Sequence, residues 1–72
     1  MEFKQEELVE REIEIGGYLL LDLSMKQISL KTGLSKKLIA AHIRNMMEKL
    51  KVNDMATLIK LLMAGNYKKR NT

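Results

Sequence analysis

The chain has 72 residues, no cysteine and no proline, with 46% hydrophobic and 31% charged residues, which suits one small domain and leaves no room for a second. Without cysteine there is no disulfide, thiolate metal site or thiol nucleophile, and the single histidine, His42, cannot complete a zinc site from one chain. No apolar run approaches the roughly 18 residues a membrane span requires, and the start MEFKQEELVEREIE is acidic where a secretory leader is basic and then apolar; a cytoplasmic protein with no membrane partner and no cofactor is expected.

Leu, Ile, Met, Lys and Glu dominate and aromatics number three (Phe3, Tyr18 and Tyr67), so helix propensity prevails and an all-α fold is expected. Charge divides the chain. Residues 1–14 hold six acids and two bases, net −4, while residues 15–72 hold three acids and eleven bases, net +8; the first seven residues form an acidic extension. A surface so biased suits a polyanion, although solvated lysines would give the same count.

The first predicted helix runs from about Val9 to about Leu21, with Ile15, Tyr18, Leu19 and Leu21 turned to the core and acids in its first turns. Gly16 and Gly17 lie inside it, each costing up to roughly 1 kcal/mol against alanine, which points either to a closely packed neighbour or to a kink. Ser24 caps a second helix, Met25 to about Thr32, in which Ile28 and Leu30 are the buried candidates, and Gly33 ends it. Leu34 bridges to Ser35, the cap of the third helix. A short helix, a glycine turn and a longer capped helix is the order of a helix-turn-helix.

On a wheel of about 100° per residue, Ile43, Met46 and Leu50 fall within about 40° of Ile39 and form one apolar stripe, bordered by His42 and Met47. The opposite arc carries Lys37, Ala40, Ala41, Arg44 and Lys51, with Glu48 its only acid. Lys36 and Lys37 stand where the helix dipole disfavours cations, a local cost that binding a phosphate backbone would offset.

Asn53 or Asp54 caps the fourth helix, about Met55 to Ala64. Ala56, Leu58, Ile59, Leu61, Leu62 and Met63 make it apolar on more than one side, so a second copy is expected to cover one face through Met55, Leu58, Ile59, Leu62 and Met63, with full coverage by the third helix in a monomer as the alternative. The basic end, residues 68–72, reads as a tail.

The stretch from Leu8 to Tyr67 resembles the LuxR/GerE-type helix-turn-helix domain of bacterial transcription regulators. Its opening motif appears as Leu8, Arg11, Glu12, Glu14 and Ile15, its second-helix motif as SMKQIS, and its third-helix signature as LSKKLIAAHIRNMMEKLKV from Leu34 to Val52. The resemblance implies a four-helix domain over residues 8–67, DNA binding through the third helix and dimerisation through the fourth; a chain this short looks like the free-standing kind. Four positions depart from the family pattern. Leu38 replaces a usual threonine, Ala40 a base-facing lysine, Asp22 a glycine and Met55 an arginine.

The expected partner is double-stranded DNA, with Lys37, Ala40, Ala41 and Arg44 facing bases and Lys26, Lys31, Ser35, Lys36 and Lys51 facing phosphates, Lys37 serving either role. A homodimer is expected, with a related regulator or RNA polymerase as further partners. His42 is read as a structural hydrogen-bonding residue, and enzymatic activity is not expected. The competing class is an interaction module that pairs with a related regulator and blocks it, favoured by the depleted base-facing positions and the six methionines. RNA binding is weaker for want of exposed aromatic platforms.

Overall fold

A computed structural model describes residues 7–65 and Tyr67. The described residues form four helices, α1 (Glu10–Leu20), α2 (Met25–Thr32), α3 (Lys36–Leu50) and α4 (Met55–Ala64). The all-α architecture expected from composition is observed. The basic tail at 68–72, and all of the acidic extension except Glu7, lie outside the described residues.

Local chemistry fixes each boundary. Ser24 Oγ accepts the Gln27 N–H at 3.1 Å while the Gln27 side chain accepts the Ser24 N–H at 2.8 Å, a reciprocal cap that starts α2. Gly33, at φ 76°, ends it in the left-handed conformation. Ser35 Oγ accepts the Leu38 N–H at 3.1 Å and opens α3. Between the two, Ser29 Oγ donates to the Leu34 carbonyl at 2.6 Å, and Thr32 Oγ1 accepts the Leu34 N–H at 3.2 Å. These bonds hold the angle between α2 and α3, and with it the placement of α3.

Asp54, not Asn53, caps α4: its Oδ1 accepts the Thr57 N–H at 2.8 Å and its Oδ2 accepts the Thr57 hydroxyl at 3.0 Å. The Thr57 backbone N–H, followed by its hydroxyl, holds the Asp54 carboxyl below the ordinary carboxylate range. A depressed folded-state pKa gives stability that is present above the unfolded-state value of about 3.9 and is lost as pH falls through the lower folded value. Asn also caps well but does not titrate. The difference in urea midpoint between the wild type and Asp54→Asn should therefore shrink from about pH 6 to about pH 2.5; a constant difference over that range would contradict the assignment.

The core consists of Leu8, Ile15, Ile28, Ile39, Ile43, Met46, Leu50, Leu58 and Leu62. All four members of the α3 stripe are in it, so the wheel placed this helix correctly. α1 packs against both α3 and α4, and α2 packs against α3. The glycine pair has two separate explanations. A Cβ on Gly16 would stand 3.2 Å from Leu62 Cδ1, so Gly16 is where α1 and α4 approach closely, whereas Gly17 has open space around its Cβ position. Gly17→Ala should raise stability by up to about 1 kcal/mol from helix propensity alone; thermal or urea unfolding measures it, and a loss would contradict the open environment.

Several expectations are corrected. Leu21 (71% exposed) and Leu30 (77% exposed) lie on the surface: Leu21 follows the last turn of α1, and Ile28 alone supplies the buried contact of the short α2. Leu58 (0% exposed) and Leu62 (5% exposed) belong to the chain's own core and cannot also line a dimer surface. Two faces of α4 are apolar, and the one bearing Leu58 and Leu62 turns inward, because Gly16 opens room for Leu62 on α1.

Asp22, at the position where the family resemblance expects glycine, has φ 61°. The chain thus adopts the left-handed turn with a residue for which it costs about 1 kcal/mol more than for glycine.

Candidate nucleic-acid interface

The surface of α3 opposite its buried stripe carries the candidate interface. Ser35, Lys36, Lys37, Arg44, Glu48 and Lys51 are exposed, and Ala40 and Ala41 are half-buried between them. Two small side chains bordered by cations leave the face low in relief, so the α3 backbone can approach a flat or grooved partner closely. Lys26 and Lys31 are exposed on α2, the other arm of the helix-turn-helix. All the residues expected to face DNA therefore lie on α2 and α3 or their caps, none of them sealed in the core.

Two α3 features oppose its dipole. Lys36 and Lys37 occupy the first turn, and Glu48 occupies the last, each against the favourable sign at a cost of about 0.3–1 kcal/mol at exposed sites. Lys51 closes the helix in the left-handed conformation, φ 61°. That conformation ends the helix and carries the chain on toward α4.

An ion pair fixes the back of α3. Lys49 Nζ donates to Glu12 Oε1 at 2.8 Å and to the Glu7 carbonyl at 3.1 Å. The same Glu12 oxygen accepts the Val9 N–H at 3.0 Å, capping α1, and the Glu12 residue is only 2% exposed. One carboxylate thus starts α1 and pins it to the C-terminal turn of α3. Both residues stand within the quoted motifs, but their pairing across 37 positions is a tertiary fact that helical spacing does not carry.

His42 is half-buried, and no hydrogen bond of its side chain to a described residue is observed. The structural tie expected of it falls to Lys49 and Glu12 instead. No group of three His, Cys, Asp or Glu able to hold a metal occurs among the described residues, and no described helix is long and apolar enough to cross a membrane.

On α4, with Leu58 and Leu62 internal, Met55 and Met63 are exposed and Ile59 half-buried.

Residues 6–62 match the family model described as bacterial regulatory proteins, luxR family. No curated protein and no solved structure matches the chain.

Proposed function

The chain belongs to the luxR family of bacterial regulatory proteins, a family of DNA-binding transcription regulators, and from that membership we propose that it binds specific duplex sites as a homodimer with α3 in the major groove. The observation that carries this reading is the exposed face of α3, with Lys37 and Arg44 on the side opposite a buried apolar stripe and Lys36 exposed at the start of the helix. Arg44 hydrogen-bonds a guanine edge, and Ala40 and Ala41 allow close approach and contact with thymine methyl groups. Lys26, Lys31, Ser35, Lys36 and Lys51 contact phosphates, with Lys37 at the border between the two sets. With Ala40 at a base-facing position, direct readout is thin and DNA shape carries part of the selectivity.

Met55, Ile59 and Met63 form the apolar surface by which two copies associate, presenting two α3 helices to half-sites about 34 Å apart. A mobility-shift titration against salt tests the reading. Affinity should fall with a log–log slope of about −4 or steeper, as several phosphate contacts require, and a subset of sequences should survive competition by a non-specific polyanion. Failure of every duplex to survive that competition would overturn it.

One observation favours a second reading. Leu38 is 45% exposed on α3, an apolar side chain on the helix that should meet a polar backbone. An interaction module that pairs with a related regulator and withholds it from DNA would use such a surface. Loss of a related regulator's DNA complex on adding the protein, with no duplex bound by the protein alone, would favour this alternative.

A further inference from the structure

Glu48 is the one acid of α3 and stands on its outward side in the last turn, four residues after Arg44 and three before Lys51. Glu12 holds Lys49, Glu14 holds Arg11 and Asp54 caps α4, while Asp22 is exposed on the turn after α1, away from the α3 face. No ion pair or hydrogen bond of the Glu48 carboxylate is observed among the described residues, and the side chain is exposed. Its position in the last turn opposes the helix dipole, and its sign opposes attraction to a polyanion. Neither helix stability nor general affinity accounts for it. At a major-groove surface a carboxylate is favoured only against a base amino group, and cytosine N4 is its usual partner because adenine N6 lies beside the N7 acceptor, which repels it.

We propose that Glu48 is a specificity-determining residue, which repels a duplex presenting only phosphates or base acceptors and accepts from the N4 amino group of a cytosine in the preferred site. This rests on the duplex-binding reading above. With an arginine and a carboxylate one helical turn apart, the outward face has a donor for guanine and an acceptor for cytosine, so a readout that would otherwise be purely cationic has two signs. Selectivity comes as much from the penalty on wrong sequences as from the bond in the right one.

The test selects the preferred duplex from a random pool with the wild-type protein, replaces each of its C·G pairs in turn, and compares wild type with Glu48→Gln and Glu48→Ala. Both variants should bind a non-specific duplex more tightly, about threefold for the loss of one like charge at low salt. Glu48→Ala should also lose about tenfold in discrimination at one C·G pair and at no other, and Glu48→Gln, which keeps an acceptor, should lose less at that same pair. Equal tightening on every duplex, with discrimination intact, would overturn the proposal and reduce Glu48 to a general brake. No change on any duplex would also overturn it, by placing Glu48 outside the interface. If the random pool yields no preferred duplex for the wild type, the duplex-binding reading fails first and this proposal falls with it.

Discussion

Replacing Glu12 by alanine should cost about 3 kcal/mol of folding stability, the low end of the range for removing one partner of a buried pair, because Lys49 remains partly hydrated. The loss has two sources. The Lys49 amine would keep only the Glu7 carbonyl, and the Val9 N–H would lose the acceptor that starts α1. A domain of this size holds roughly 4–11 kcal/mol in total, so the variant should melt about 12–24 °C lower. Calorimetry or a urea titration reads the effect directly. Glu12→Gln retains an acceptor for Val9 and should lose less. The double variant Glu12→Leu with Lys49→Met removes both charges together and should recover much of the loss, since a well-packed apolar pair often equals a buried ion pair. A Glu12→Ala variant within about 0.5 kcal/mol of wild type would show that the pair is no more than a surface contact.

Arg44→Ala should abolish or relax discrimination at one base pair in each half-site, at a cost of about 1–3 kcal/mol on the preferred sequence and far less on others. Arg44 is exposed on the outward face of α3, flanked by Ala40 and Ala41, where its guanidinium can extend along a groove. Lys37→Ala should instead weaken all duplexes alike and reduce the salt slope by about one. Parallel binding isotherms over several sequences and salt concentrations distinguish the two. Uniform loss in both variants would remove Arg44 from the groove and make it another phosphate contact. The effect of Arg44→Ala on folding should be slight, because the side chain takes no part in the core.

Much of the fold was legible because short-range chemistry specifies it. Ser24, Gly33 and Ser35 mark helix ends by capping and left-handed geometry, and each does so in the structure. The stripe Ile39, Ile43, Met46 and Leu50 was plain from its period and lies entirely in the core. What periodicity does not carry is the choice between two apolar faces. α4 offered both, and only the approach of α1 at Gly16 shows why Leu62 turns inward while Met63 stays outside.

A similar reason explains Leu21 and Leu30. Each is apolar at a helix end, where one residue of rotation separates core from solvent. In the candidate site, the cationic face was legible as a face, because its residues belong to one helix. The pair that braces it was not, since Glu12 and Lys49 come from distant positions and looked like two members of opposite charge pools. Asp22 was singled out as a departure from glycine, and its φ of 61° gives that departure a conformational meaning.

The absence of cysteine from the chain permits a direct test of how α3 meets its target. A single Ala41→Cys variant, carrying a tethered hydroxyl-radical source, places the cutting centre in the middle of the outward face, and Glu14→Cys on α1 serves as the control. The account predicts strand cuts from position 41 confined to a few nucleotides within each half-site and staggered as a major-groove source requires, with little cutting from position 14. Bound DNA left uncut from position 41, or cut more strongly from position 14, would contradict it.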